Sequence, residues 1–422
     1  MKHTSLREVT LDSKYDVADG TVFINGNQAL VRMLLLQQDR DARLGLETAG
    51  FVSGYRGSPI GGFDAELWRA RSRLDQHGIR FQPGVNEELA ATAVWGSQQT
   101  HITAGARYDR VFAMWYGKGP GVDRSMDVFK HSNAFGTSRY GGVLSVAGDD
   151  HACKSSTLPH QSEHNFIAAS MPVLSPANVQ EVLDLGIYGW ELSRYSGCWV
   201  ALKAVADTVE SAAIVDVDPH RVQPIIPDVP MPEGGMNIRW PDPPLDQEKR
   251  LFEHKVYAAL AYARANRLDR IVVDSPKARL GIITSGKSYL DVCQALKILG
   301  IDDALAQQIG LRVYKVGMIW PLEAEGVRQF AEGLEEIVVV EEKRHMIEYQ
   351  LKEELYNWRE DVRPAIVGKF DDKGEWARPH TDWLLPAIGE LTPAQIARAL
   401  ARRILRVYQG GELQVRLAVL EA

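Results

Sequence analysis

The sequence has few cysteines, no long apolar run and no excess of basic residues. The three cysteines, at positions 153, 198 and 293, lie far apart and form no CxxC pair. This spacing excludes the usual ligand runs of zinc and iron–sulfur sites and fits a reducing compartment. No window approaches the roughly 20 apolar residues that span a bilayer, and residues 1–16 lack the apolar core of a signal peptide. We therefore expect a cytoplasmic protein with no membrane partner.

The charge balance also limits the possible partners. The chain has 48 Lys and Arg against 55 Asp and Glu, a formal net charge of −7, so a nucleic-acid partner is not expected. Hydrophobic residues make up 45% and charged residues 24%, as in ordinary soluble globular proteins. A length of 422 residues predicts two or three domains.

The first half alternates strand-like and helix-like segments. Helical spacing covers 28–38 and 63–74, and strand-like runs occupy 21–24, 49–55, 79–85, 110–116 and 142–147. This rhythm predicts an α/β fold with a mostly parallel sheet flanked by helices. Ligands of such sheets bind beyond the carboxyl ends of the strands. The residues expected at those ends are Ser58, Glu87, Lys118 and Asp150.

The second half begins with a change of composition. Eight prolines between residues 219 and 244 predict an extended linker, followed by a helix from about 248 to 265. A second α/β unit then follows. We divide the chain into a first domain (1–214), a linker and helix (215–270), a second domain (271–390) and a C-terminal helix (391–422). The apolar run 413–420 looks like the approach to another domain.

One stretch combines a helix start with acidic and small residues. Asn86 is a good helix cap, Glu87 and Glu88 open the helix, and small residues follow at positions 90, 91, 93 and 96. A carboxylate at a helix start, backed by small residues, suits a buried acid that meets a flat ligand. The alternative is that both glutamates only complement the helix dipole.

Four other features could carry chemistry. The glycine-rich run 117–121 could be a lid or simply a turn. The turn at Ser58, before a helix with two glycines at its start, could bind an anion through backbone N–H groups. Residues 284–288 resemble a phosphate loop, but GxxxxGK[ST] fails because Gly281 lies in the strand. The loop after Asp150 could belong to a metal hydrolase, with ligands Asp150, His151, His160 and His164. Pro159 and the polar residues 154–157 favour an ordinary loop instead.

Several motifs occur together in an order that resembles the 2-oxoacid:ferredoxin oxidoreductases, and most of all the long, fused indolepyruvate branch. They are Tyr55-Arg56-Gly57-Ser58-Pro59, Asn86-Glu87 with eight residues before Gly96, Gly148-Asp149-Asp150-His151 with Ser155-Ser156 and Gln161-Ser162, Gly281 to Gly286, and Val340-Glu341-Glu342. Each motif is weak alone, but the resemblance extends from about residue 20 to 405. It implies a pyrimidine-binding domain of a thiamine diphosphate enzyme, followed by a domain like the transketolase C-terminal domain.

The resemblance also implies roles for particular residues. Thiamine diphosphate requires a carboxylic acid hydrogen-bonded to N1′ of its pyrimidine, and the matching residue here is Glu87, with Gly84 and Asn86 beside the cofactor. Because this acid must hold or share a proton, we expect its pocket to be dry. Ser58 replaces a threonine that helps to hold the substrate carboxylate. The other implied substrate-binding residues are Arg56, His151, Ser155 and Ser156.

Parts of the expected machinery have no counterpart in the sequence. Gly148-Asp149-Asp150 lacks the closing glycine of the Gly-Asp-Gly motif that binds Mg²⁺ and diphosphate, and cluster cysteines are missing. The resemblance therefore implies thiamine diphosphate with Mg²⁺ and a [4Fe–4S] cluster whose ligands lie outside this chain. The expected partners are a diphosphate-binding domain or subunit, ferredoxin, CoA and a 2-oxoacid, in a homo- or hetero-oligomer.

We thus expect the N-terminal portion of an enzyme that oxidatively decarboxylates an aryl or other 2-oxoacid to acyl-CoA. Three alternatives remain at this point. They are a non-oxidative thiamine enzyme of the transketolase type, the metal hydrolase, and a non-catalytic scaffold subunit.

Overall fold

The computed structural model describes residues 9–371 and 383–422. Residues 1–8 of the predicted first domain and 372–382 of the predicted second domain lie outside the described residues. The strands are β1 (Thr21–Asn25), β2 (Thr48–Gly54), β3 (Ile79–Phe81), β4 (Arg110–Lys118), β5 (Val143–Asp149), β6 (Val173–Leu174), β7 (Val200–Val205), β8 (Ala212–Asp216), β9 (Arg270–Val273), β10 (Leu280–Ser285), β11 (Leu311–Val316), β12 (Met318–Trp320), β13 (Glu336–Val340) and β14 (Ala365–Val367).

The helices surround these strands. In chain order they are α1 (Ser13–Asp16), α2 (Gly26–Arg43), α3 (Gly61–Arg69), α4 (Arg71–Gln76), α5 (Glu87–Ser97), α6 (Gly119–Arg124), α7 (Met126–Phe135), α8 (Glu163–Ala168), α9 (Val179–Ser196), α10 (Ala206–Val209), α11 (Pro244–Arg250), α12 (Val256–Ala265), α13 (Gly286–Ile298), α14 (Asp303–Ile309), α15 (Ala324–Ala331), α16 (Ile347–Leu355), α17 (Pro393–Val407) and α18 (Gly411–Glu421). A π-helical turn, Leu251–Lys255, joins α11 to α12.

The larger sheet has the strand order β12-β6-β7-β5-β4-β2-β3. All neighbouring strands run parallel except the edge strand β12, which pairs antiparallel to β6. Both faces are covered, so alternate residues of β4 enter different apolar cores. Phe112 and Met114 pack with residues of α2 and α9, whereas Ala113 and Trp115 pack with residues of α5 and α7. The prediction of a mostly parallel sheet flanked by helices is confirmed.

A second sheet follows with the order β14-β13-β10-β11-β9, parallel except at β9. The two large sheets share an apolar core, because Ile283 and Phe330 of the second half cluster with Trp115 and Phe166 of the first. The edge strand β12, although late in the sequence, belongs to the larger sheet. The domain division at residue 214 stays a prediction.

The proline-rich linker runs irregularly from residue 217 to 243. It lies against the first half of the chain, where Arg40 donates to the Val222 carbonyl (2.7 Å) and Tyr195 donates to the Pro227 carbonyl (2.9 Å). A small antiparallel sheet of β1 and β8 lies just before it. Within the described ranges, no helix is long and apolar enough to cross a membrane.

Two local features differ from the sequence-based expectation, and a third adds to it. The strand predicted over 79–85 ends at Phe81, because Pro83 and Gly84 interrupt it before α5. The glycine-rich run 117–121 is neither a lid nor a simple turn, since it spans the end of β4 and the start of α6. The apolar run 413–420 forms α18, which packs against α17 through the buried Leu413.

Candidate active site

Helix α5 begins at Glu87, as the capping signal predicts. The Asn86 side chain accepts a hydrogen bond from the Leu89 amide at 2.8 Å, which satisfies one of the free N–H groups of the first turn. Glu87 is only 9% exposed. Glu88 lies on the surface, 3.8 Å from Arg124. The two neighbouring carboxylates therefore have different environments, and only that of Glu87 suits a site.

Glycines allow the Glu87 side chain to lie close to the backbone of β4 and α6. A Cβ added at Gly121 would lie 2.4 Å from Glu87 Cγ and 2.8 Å from its Oε1, and one added at Gly117 would lie 3.3 Å from Cγ. Trp115 donates its indole N–H to the Glu87 carbonyl at 2.9 Å. Any larger residue at position 121 would therefore displace the carboxyl group.

No residue in the described part of the chain makes a hydrogen bond or ion pair with the Glu87 carboxyl group. The hydrogen-bonding capacity of this largely buried carboxyl group is therefore free for a group from outside the described part of the chain. A ligand that offers a hydrogen-bonding nitrogen in this place could use it. The catalytic role of Glu87 stays a prediction.

Contrary to the expectation from the sequence, the small residues of α5 do not all lie behind the Glu87 carboxylate. Ala90 and Ala91 are fully buried in the core, while Ala93 and Gly96 face outward. Gly84 lies tightly against the turn before the helix, since an added Cβ would lie 2.6 Å from the Asn86 carbonyl oxygen and 2.7 Å from Ala90 Cβ. The backbone that comes closest to the Glu87 side chain is that of Gly121 in α6.

The turn at Ser58 meets the loop that follows β5. The hydroxyl groups of Ser58 and Ser155 are in direct hydrogen-bonding contact. Asp150 shapes this loop by accepting hydrogen bonds from the amides of Lys154 and Ser155, both at 2.9 Å, and these bonds lower the pKa of Asp150 against the opposing effect of burial. Two predicted substrate-binding residues, 97 positions apart in sequence, are thus brought together.

Lys118 connects the surroundings of Ser58 with those of Glu87. A Cβ added at Gly57 would lie 2.8 Å from Cδ of Lys118, the last residue of β4. Lys118 follows Gly117, which borders Glu87. Ser58, Glu87 and Ser155 thus follow the carboxyl ends of β2, β3 and β5 and lie at one edge of the sheet, as expected for a parallel α/β protein.

The other predicted substrate-binding residues lie in different surroundings. Arg56 is exposed on the same turn, and the Ser156 carbonyl accepts a hydrogen bond from the Cys153 thiol. His151 is 2% exposed and lines a polar cavity between the two large sheets, together with Lys203, Lys287 and Glu342. Burial and nearby Lys203 hold the pKa of His151 well below its ordinary value.

His160 forms an ion-paired bridge that the sequence did not reveal. Its Nδ1 lies 3.4 Å from Asp149, and its Nε2 lies 2.9 Å from Asp123 of α6. The ring packs on Gly119, where an added Cβ would lie 2.0 Å from Nδ1. His160 therefore connects the loop that carries Ser155 with the turn that borders Glu87.

These contacts leave the metal-hydrolase hypothesis without a ligand set. Both nitrogens of His160 face carboxylates of an ion-pair network, and Asp150 is engaged by backbone amides. Over residues 9–371 and 383–422, no group of three His, Cys, Asp or Glu side chains could hold a metal ion.

The His160 bridge predicts a pH-dependent contribution to stability. Hydrogen bonding to Asp149, together with Asp123, raises the pKa of His160 to about 9 against the effect of burial. Because the folded value exceeds the unfolded one, the contribution is complete below about pH 6.5 and is lost as the pH rises towards 9. We expect the unfolding free energy of the wild type, relative to His160→Gln, to fall by roughly 1–2 kcal/mol over this interval after allowance for solvent screening.

Urea unfolding of both proteins at several pH values measures this difference. His131→Gln is a matched control, because His131 is exposed and, among the residues that the structure describes, its ion pair is with Asp127 of its own helix. A wild-type advantage over His160→Gln that stays constant from pH 6.5 to 9 would contradict the charged bridge.

Sequence reasoning did not connect the glycines at 117 and 121 with Glu87, and it missed the Trp115 contact and the His160 bridge. The glycine-rich run 117–121 was the available sequence signal for the contacts of Gly117 and Gly121 with Glu87. Nothing in the sequence indicated that His160 would meet Asp123 and Asp149, since this depends on how α6 and the loop after β5 pack.

Comparisons with known proteins agree with the motifs. Residues 269–422 match the family described as the indolepyruvate ferredoxin oxidoreductase middle domain. The chain is 26% identical over 350 residues to indolepyruvate oxidoreductase subunit IorA of Methanothermobacter marburgensis, covering 81% of this chain and 51% of that protein. It is 27% identical over 406 residues to IorA of Pyrococcus abyssi, covering 92% and 53%. The chain thus spans about half the length of these relatives.

The fold agrees with a solved structure. A 2-oxoglutarate:ferredoxin oxidoreductase from Magnetococcus marinus, with 2-oxoglutarate, coenzyme A and succinyl-CoA bound, matches with a TM-score of 0.63. The match covers 92% of this chain and 66% of that one at 14% sequence identity, so it speaks for the fold alone. The chain is therefore similar to indolepyruvate oxidoreductase subunit IorA, and its residues 269–422 match the indolepyruvate ferredoxin oxidoreductase middle domain, in agreement with the resemblance that the sequence motifs indicate.

Proposed function

We propose that this chain is the pyrimidine-binding portion of a thiamine-diphosphate-dependent 2-oxoacid:ferredoxin oxidoreductase of the indolepyruvate type. The assembled enzyme oxidatively decarboxylates an aryl or other 2-oxoacid, transfers the acyl group to CoA and passes the electrons to ferredoxin. The observation that carries this proposal is Glu87, a 9% exposed acid whose carboxyl group has no partner in the described part of the chain.

The residues around Glu87 fit an aminopyrimidine. A flat ring could reach the carboxyl group from the open side, while Gly117 and Gly121 keep the opposite side in contact with backbone. Glu87 would then share a proton with N1′ of the ring. Gly84 and Asn86 hold the start of α5 in position for this contact. When bound, thiamine diphosphate supplies the nucleophilic carbon and takes up the electrons released with CO₂.

The substrate is proposed to bind at the meeting point of the two loops. The hydroxyl groups of Ser58 and Ser155 lie together there and can donate to a carboxylate oxygen. Arg56 on the same turn can approach a carboxylate from solvent. His151 and Ser156 lie on the same loop after β5 as Ser155. The His151 side chain lines the cavity between the two large sheets.

The surface around Glu87 fits a partner that completes the site. Val85 is 83% exposed and Leu89 is 53% exposed, on either side of the buried carboxylate. Exposed apolar side chains grouped in this way are typical of an interaction surface. We assign this surface to a diphosphate-binding domain or subunit, which would bring the Mg²⁺ ligands. The [4Fe–4S] cluster would likewise lie outside this chain.

A reconstitution assay tests the proposed function. The chain, assembled with its diphosphate-binding component, is supplied with thiamine diphosphate, Mg²⁺, CoA and oxidised ferredoxin, and ferredoxin reduction is followed by absorbance. Indolepyruvate, phenylpyruvate, pyruvate and 2-oxoglutarate are compared. We expect reduction that requires all components and is fastest with an aryl 2-oxoacid.

Other outcomes would decide against this function. Decarboxylation without CoA and ferredoxin would indicate a non-oxidative enzyme of the transketolase type. Turnover that does not require thiamine diphosphate would overturn the proposal.

A further inference from the structure

Lys118 lies beside the proposed substrate site and is not among the residues to which the proposed function assigns a role. It is the last residue of β4, and its half-buried side chain lies along the turn at Ser58. A Cβ added at Gly57 would lie 2.8 Å from Cδ and 2.9 Å from Cγ of Lys118. A side chain at position 57 would force the lysine stem to shift, so the glycine allows the stem to lie against the turn.

The Lys118 ammonium group has no counter-charge among the residues that the structure describes. Three other lysines near the carboxyl ends of the strands are paired with carboxylates: Lys203 with Glu163, Lys287 with Asp291 and Glu342, and Lys315 with Glu181. A partly buried cation without an anion loses hydration and gains nothing in return. Lys118 is therefore suited to an anion that is not part of this chain.

The groups next to Lys118 define the kind of anion. Ser58 follows Gly57 directly, and its hydroxyl contacts that of Ser155. The Lys118 stem passes Gly57, the residue before Ser58, and an ammonium group combined with hydroxyl donors suits a carboxylate, which accepts several hydrogen bonds and carries a negative charge. Gly117, the residue before Lys118, borders the Glu87 side chain, so a carboxylate bound here would lie near the proposed pyrimidine site.

We propose that Lys118 supplies the positive charge that recognises the carboxylate of the 2-oxoacid, with Ser58 and Ser155 as the hydrogen-bond donors. This inference rests on the proposed function and deepens it. It makes Lys118, rather than the more exposed Arg56, the residue that distinguishes 2-oxoacids from neutral carbonyl compounds.

The test compares Lys118→Met, Lys118→Arg and Arg56→Gln in the assembled enzyme. Lys118→Met should raise KM for the 2-oxoacid roughly 10- to 100-fold, since a hydrogen bond to a charged group contributes on the order of 1.5–3 kcal/mol, while kcat changes little. Lys118→Arg should recover part of this loss because it keeps the charge. Lys130→Met, at an exposed lysine of α7, is the matched control and should leave KM unchanged.

A neutral substrate provides a readout that a purely structural role would not affect. With the methyl ester of the same 2-oxoacid, Lys118→Met and the wild type should have the same KM. An unchanged KM for the acid in Lys118→Met, or an equal rise for acid and ester, would overturn the inference. Full activity of Glu87→Gln would instead overturn the proposed function, so the two failures are distinguishable.

Discussion

Glu87→Gln is expected to lower kcat of the assembled enzyme by roughly 10²- to 10⁴-fold, the usual contribution of a positioned acid or base. Glutamine has nearly the shape of glutamate, so it keeps the packing against Gly117 and Gly121. Its amide, however, cannot exchange a proton with a ring nitrogen. The variant should therefore fold normally and still lose activity, as measured by steady-state kinetics and by thermal unfolding in parallel.

Glu88→Gln is the matched control for this change. Glu88 is the next residue in sequence, but it is exposed and lies 3.8 Å from Arg124, a distance at which a surface ion pair contributes little. We expect its kcat to equal that of the wild type. Comparable activity in Glu87→Gln and the wild type would support a scaffold role for the chain in place of a catalytic one.

Gly121→Ala is expected to reduce activity by about 10²-fold although it leaves every proposed site residue in the sequence. The new methyl group would lie 2.4 Å from Cγ and 2.8 Å from Cδ of Glu87, which is closer than non-bonded atoms can approach. Glu87 must therefore move, and displacement of a reacting group by about 1 Å can cost 10²-fold in rate. Steady-state kinetics of the assembled enzyme measures the loss.

Gly96→Ala controls for the general effect of replacing a glycine near this helix. Gly96 lies in α5 itself, and an added Cβ would have no atom within 4 Å. Alanine should raise stability by up to about 1 kcal/mol, because glycine is a poor helix former, and should leave kcat unchanged. Wild-type activity in Gly121→Ala would show that the position of the Glu87 side chain does not matter for function.

Much of the architecture followed from local patterns in the sequence. Apolar runs separated by helical segments predict the parallel sheet because each strand must be covered on both faces. The start of α5 follows from Asn86, whose side chain can accept a hydrogen bond from a free amide of the first turn. The linker follows from its prolines, which cannot donate backbone hydrogen bonds. All of these signals act over a few residues, so they can be read without knowing the fold.

The composition of the site depended on contacts between distant segments. Only the packed structure brings Ser155 to Ser58, the stem of Lys118 to Gly57, and Gly121 to Glu87. The same is true of His160, whose pairing with Asp123 and Asp149 joins the loop after β5 to α6. Sequence motifs determined which residue types were available for chemistry. Tertiary structure decided which of them meet, because burial and charge pairing depend on packing between segments that the chain order does not place side by side.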